Sequence, residues 1–151
     1  MKRKTIGYIS LILFIFVTLF IFFNSSQDAV QSSSQSSRIV DTVEKVIKTI
    51  KPEMNIERHN LTYIIRKLAH FIEFFAQGFF FSIFIYCFSK KYNIINILFI
   101  GLLTACYDEY IQLSSAGRSG QISDIFVDFS GCILAAVLYT IFYFSMKEKR
   151  G

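Results

Sequence analysis

The side chains of this 151-residue chain that could do chemistry sit inside stretches that are otherwise apolar. Arg66, His70, Glu73 and Gln77 fall at i, i+4, i+7 and i+11, one face of a helix at 100° per residue. Asp108, Glu109 and Gln112 close a second apolar run, and Asp124 and Asp128, four apart, share a face at the start of a third. Arg118 lies in the connection Ser114–Gln121 between them. An imidazole among carboxylates supplies general acids and bases, which makes His70, Glu73, Asp108 and Glu109 the candidate catalytic groups. The same oxygens with an imidazole could hold a divalent cation. No tight ligand motif such as H-E-x-x-H is present, and no Ser or Cys can be assigned as nucleophile. In Ser-Ala-Gly-Arg-Ser-Gly, Gly117 and Gly120 offer left-handed turns and exposed backbone N–H groups. Arg118 between them suits bidentate contact with phosphate or carboxylate.

The elements that must position these groups are membrane helices. The chain is 53% hydrophobic and 18% charged, against roughly 45–50% and about a quarter in soluble domains. Its 18 Phe and 8 Tyr exclude a disordered chain. Three Cys, all within apolar blocks, exclude a disulfide scaffold and read as small buried apolar residues. A bilayer core needs about 20 mostly apolar helical residues. Four stretches meet this: about 5–23, 68–88, 94–113 and 122–146, giving an all-α, polytopic four-helix bundle in a single domain, 1–151. The first follows Met1-Lys2-Arg3-Lys4, as a signal peptide would. Its length and the absence of a small-x-small site after Phe23 favour an uncleaved anchor.

Charge density near span ends sets orientation. With the N-terminus inside, Lys2, Arg3, Lys4, Lys90, Lys91, Lys147, Lys149 and Arg150 crowd the short cytoplasmic pieces. Seven other basic residues are spread over the outer loop 24–67. Both termini are therefore expected in the cytoplasm of a multi-pass cell-membrane protein. The net charge of +5 records topology and not nucleic-acid binding, which needs basic residues on one soluble face. In the outer loop, 24–37 is Ser/Gln-rich and reads as soluble. Ile39, Val43, Val46, Ile47 and Ile50 then recur at helical spacing, with Asp41/Lys45 and Glu44/Lys48 as i,i+4 pairs, and Pro52 ends the pattern. This predicts a short amphipathic helix on the outer membrane surface, or a lid packed on the bundle.

In this topology the polar residues cluster at the outer ends of their helices, Glu73 about 7–8 Å inside the boundary at 1.5 Å per residue. A carboxylate at a span's centre costs ~2.5–3.5 kcal/mol. At half that, the five here total ~6–9 kcal/mol, which rivals the ~5–15 kcal/mol stability of a domain. They must turn inwards, forming a polar cavity that opens outwards. The plainer alternative is helix-locking ion pairs such as Arg66 with Glu73. Gly78, Gly101 and Gly131 read as close-packing positions, the Phe residues at 74–75 and 79–81 as lipid-facing or core bulk, and His59 as a loop residue with no evident partner.

Arg66-Lys67-Leu68-Ala69-His70-Phe71-Ile72-Glu73-Phe74 resembles a signature of the VanZ-like membrane family. Asp108-Glu109 with Gln112, then Gly117-Arg118-Ser119-Gly120, Asp124 and Asp128, resembles a second signature of that family. Ser25-Ser26-Gln27 is similar to its first loop. Where many relatives place an apolar-Pro pair, Ser114-Ser115-Ala116 predicts a softer loop. The resemblance implies a small bacterial envelope protein whose founding relative is associated with reduced teicoplanin susceptibility, a context without a reaction. It points to Arg66, His70, Glu73, Asp108, Glu109, Gln112, Arg118, Asp124 and Asp128 as ligand-binding residues. The expected function is binding of a polar or anionic headgroup, such as a lipid-linked wall precursor, among membrane lipids and with no nucleic acid. The alternative is an intramembrane enzyme acting on a lipid headgroup, with or without a metal. A transporter or scaffold is a third class, although four short spans leave little room for alternating access unless chains associate.

Overall fold

The computed structural model describes residues 2–53, 56–89, 93–118 and 120–148. Lys90, Lys91, Ser119, Lys149 and Arg150, singled out above, lie outside them. Among the described residues there are five helices and no strand: α1 (Lys2–Ser26), α2 (Ala29–Ile50), α3 (Arg58–Phe88), α4 (Ile94–Leu113) and α5 (Ile122–Glu148). Four of them, α1, α3, α4 and α5, are long and apolar enough to cross a membrane. Helix α4 has the expected bounds. Helix α3 starts ten residues before the expected span and has 31 residues, roughly 46 Å at 1.5 Å each, against a hydrocarbon core of about 30 Å. Its first turns therefore project past the apolar zone and carry Arg66 and Lys67 at the boundary.

Helix α3 is the hub, packed most extensively against α5 and α1, with α4 leaning on α5 and α2 lying on α3. The α3–α5 contact is close because Gly131 has no side chain. A Cβ there would stand 2.3 Å from the Phe71 carbonyl oxygen of α3. Gly78 and Gly101 likewise face Cys132, so all three glycines serve helix approach as expected. Phe74, Ile21, Ala105 and Cys132 form a core cluster, and Ile85, Ile97, Ala136 and Tyr139 form another. Large apolar side chains such as Ile12, Phe16, Phe99 and Ile141 remain exposed, as a lipid-facing surface requires. The cysteines are free, but only Cys132 is buried. Cys106 is exposed, contrary to the expectation for all three, because its position on α4 turns outward beside Tyr107 and Leu103.

Gln77 lies in the middle of the bundle, 1% exposed. Its amide donates to Thr18 Oγ1 of α1 at 2.9 Å, and its carbonyl accepts from Thr104 Oγ1 of α4 at 3.0 Å. One side chain thus ties three helices together. At one end of the bundle, Arg3 donates to the Tyr86 carbonyl and stands over its ring.

The segment expected to be a Ser/Gln-rich loop is helical. Asp28 caps α2, its side chain accepting from the Gln31 N–H at 2.7 Å, and the helix runs 22 residues through the Ser tract into the amphipathic segment. Of the expected ion pairs, Glu44–Lys48 is present at 2.6 Å, whereas Asp41 reaches Arg58 of α3 at 2.7 Å. Lys48 beside Glu44 holds that carboxylate below its usual pKa. Val40 is fully buried, while Ile39, Val46 and Ile50 form an exposed apolar edge. The helix therefore packs on the bundle and presents apolar surface as well.

Candidate functional site

All the candidate residues converge on the end of the bundle that carries α2 and the α4–α5 connection. Helix α3 places Arg66, His70 and Glu73 on one face, as their spacing dictates. The α4–α5 connection turns at Gly117, whose φ of +73° is the left-handed conformation that glycine tolerates. Gly120 has no such φ. A Cβ there would come within 2.4 Å of the Leu113 side chain, which would have to shift to admit it. The turn carries Arg118 over the helix ends, where Arg118 Nη2 donates to the Asn24 carbonyl oxygen at 3.3 Å. Ser115 donates to the Ser25 carbonyl oxygen at 2.9 Å, and the Ala29 N–H to the Ala116 carbonyl at 3.1 Å. The α1–α2 junction thus holds the turn in place.

Beneath the turn is a pocket of about 360 Å³ lined by Arg66, Lys67, His70, Gln112, Arg118 and Asp124, with His59, Tyr63, Gly117 and Gln121. A recess of about 160 Å³ shares Arg66, His70 and Arg118 and adds Glu73, Asn24 and α2 residues including Ser32 and Ser36. Lys67 pairs with Asp124. Glu73 accepts from Asn24 Nδ2 at 3.0 Å, so the alternative of an Arg66–Glu73 lock is not what forms. Below the pocket His70 Nδ1 lies 3.8 Å from Asp108 Oδ2 and 3.9 Å from Asp128 Oδ1. Asp108 is fully buried and Asp128 2% exposed. Gln112 Nε2 donates to Asp108 Oδ2 at 2.7 Å. Glu109 faces a different way, accepting from the Gln121 N–H at 2.5 Å, and so pins the start of α5.

Eight of the nine ligand-binding candidates therefore meet around His70, and Glu109 braces the connection. The sequence reading missed Lys67 and Asn24, and it discarded His59. Asn24 carried a usable signal: an amide at the boundary of an apolar span needs a partner, and the nearest helix end offers Glu73.

Several buried polar atoms of the site have no hydrogen-bond partner: His70 Nδ1, Glu73 Oε2, Asp108 Oδ1, Asp128 Oδ2 and the Arg118 Nε and Nη1. Burial, and after it the Arg66 charge, pull the Arg118 pKa down from its ordinary value. Arg118 remains a cation all the same, since a guanidinium is not deprotonated in proteins. Chemically the site offers cationic donors at its mouth and an imidazole between two carboxylates at its floor.

These features define a multi-pass membrane protein of four apolar helices with a polar pocket at one end of the bundle. A family model described as VanZ/LLP1 matches residues 10–143, and the chain belongs to that family. No curated protein and no solved structure matches it.

Proposed function

We propose that this protein binds the anionic headgroup of a membrane amphiphile in the pocket beneath the α4–α5 turn. The observation that carries the reading is Arg118: a guanidinium in the pocket wall with two buried nitrogens lacking acceptors. Unmade hydrogen bonds of a buried charged group are costly, and phosphate or carboxylate oxygens would satisfy them. Arg66 and Lys67 add positive charge, and only Lys67 has its carboxylate, Asp124, close by. The volume falls in the ~300–1,000 Å³ range of small-molecule sites. With the termini in the cytoplasm, the pocket opens on the outer face of the bacterial cell membrane at headgroup depth. A lipid-linked wall precursor fits there, and its capture would alter glycopeptide susceptibility.

The test is binding of an isoprenoid diphosphate to purified protein in phosphatidylcholine nanodiscs. Arg118→Ala should weaken binding at least tenfold, since a hydrogen bond to a charged group is worth ~1.5–3 kcal/mol and 1.4 kcal/mol is a factor of ten. In cells at equal membrane levels, the same change should shift teicoplanin susceptibility. Unchanged binding with unchanged susceptibility would remove the reading. A second reading, an intramembrane enzyme acting on that headgroup, draws on His70 between two carboxylates directly below the pocket. It requires a released headgroup product in the same preparation, abolished by His70→Ala.

A further inference from the structure

We propose that His70, Asp108 and Asp128 form a site for one divalent transition-metal cation of the zinc or manganese kind. The three residues come from three different helices, α3, α4 and α5, and each presents one ligand atom, all within 4.8 Å of one another. Two ligands about 2.1 Å from one ion at tetrahedral to right angles stand roughly 3.0–3.4 Å apart. The observed His70–Asp108 and His70–Asp128 separations, 3.8 and 3.9 Å, are a few tenths of an ångström wider than that and too long for hydrogen bonds. His70 therefore faces both carboxylates without bonding either, and all three ligand atoms lie within 4.8 Å of one another, a spread that a small inward shift would close around one ion.

Burial supplies an independent argument. Asp108 and Asp128 are 0% and 2% exposed. His70 Nδ1 has no hydrogen-bond partner, and neither has the second oxygen of each carboxylate, Asp108 Oδ1 and Asp128 Oδ2, the ones not measured to His70. Two ionised carboxylates in this position need a compensating charge, because an unpaired buried ion is costly by several kcal/mol. Lys67 is engaged by Asp124, and among the described residues neither Arg66 nor Arg118 makes an ion pair with Asp108 or Asp128. A divalent cation would match the two carboxylate charges, with the imidazole as a neutral third ligand. The imidazole selects a borderline transition ion over calcium or magnesium, which prefer oxygen alone. Gln112 is placed as an outer support, its amide holding Asp108 Oδ2 in position. Three protein ligands would leave a coordination position open, the arrangement of reactive and not of closed structural sites, and His70 also lines the pocket above.

The site does not depend on the headgroup reading, and its test uses the metal alone. Full-length protein in nanodiscs, stripped with chelator and desalted, is titrated with Zn²⁺ and, separately, Mn²⁺. One ion per chain is expected by elemental analysis, and bound Mn²⁺ should show the electron spin-echo modulation of a coordinated imidazole nitrogen. Asp128→Asn should lower affinity at least about tenfold, the lower bound for disturbing even an outer support. Arg118→Ala should retain the ion while losing the headgroup, so the two proposals fail separately. Wild-type protein that holds no stoichiometric ion, or Mn²⁺ without nitrogen modulation, overturns the proposal whether or not the variants fold.

Discussion

At the scale of single residues, the cost of placing polar groups in apolar helices decides which ones matter, and also how much. Gln77 shares its helical face with Arg66, His70 and Glu73, yet it belongs to the packing and not to the pocket. Its two hydroxyl partners, Thr18 and Thr104, also donate to their own helix carbonyls, Phe14 at 2.8 Å and Ile100 at 2.7 Å, and the Cys132 thiol, a weak third partner at 3.8 Å, also reaches the Phe74 carbonyl. Replacing Gln77 by Leu therefore leaves neither hydroxyl stranded, and the loss should be modest. Interhelical hydrogen bonds in membranes average ~0.6 kcal/mol, so about 1 kcal/mol is expected for two. Reversible unfolding in mixed detergent micelles measures it, and a loss above ~3 kcal/mol would mean that Gln77 does more than join helices. Legibility follows the same physics. Carboxylates, His70 and Arg118 stood out in the sequence because each is expensive in lipid. Lys67 did not, since a lysine at a span boundary can snorkel to water and reads as topology. Thr18 and Thr104 did not either, because a threonine hydroxyl can satisfy itself on its own helix.

At the scale of elements, the four spans were legible from length and apolarity, whereas the reach of α2 was not. Serine is only a middling helix former, so its tract between 32 and 37 read as loop, and the cap that Asp28 provides formed no part of that reading. In the structure that cap starts a helix which then gains packing at Val40. Asp28 lies next to Ala29, whose N–H bonds the Ala116 carbonyl of the α4–α5 turn. The cap therefore steadies the junction against which Arg118 rests. Asp28→Ala should cost ~1 kcal/mol locally. Hydrogen exchange in nanodiscs should show faster exchange through residues 29–33 with residues 70–80 unaffected. Equal protection in the variant would show that packing, and not the cap, holds the start of α2.

At the scale of the whole molecule, four spans place both termini on one side, and the charges choose which. Lys2, Arg3, Lys4 and Lys147 flank the span ends opposite the pocket, joined in sequence by Lys90, Lys91, Lys149 and Arg150. At the pocket end, Lys67 is paired with Asp124, and Arg58 with Asp41 and Glu44. The orientation rule counts Lys and Arg near span ends over short loops, and long segments translocate largely regardless of charge. The long stretch 24–67, which includes the first turns of α3, can therefore carry seven basic residues outward, whereas the two termini and the α3–α4 connection are short and dense. The expected topology is both termini in the cytoplasm and the Arg118 turn outside. It can be read in whole cells from single cysteines on a background without Cys87, Cys106 and Cys132. A cysteine at Ser114 should react with a membrane-impermeant maleimide, and one at Lys2 should react only after permeabilisation. The reverse pattern would put the pocket on the cytoplasmic face, where no wall precursor on the outer leaflet could reach it.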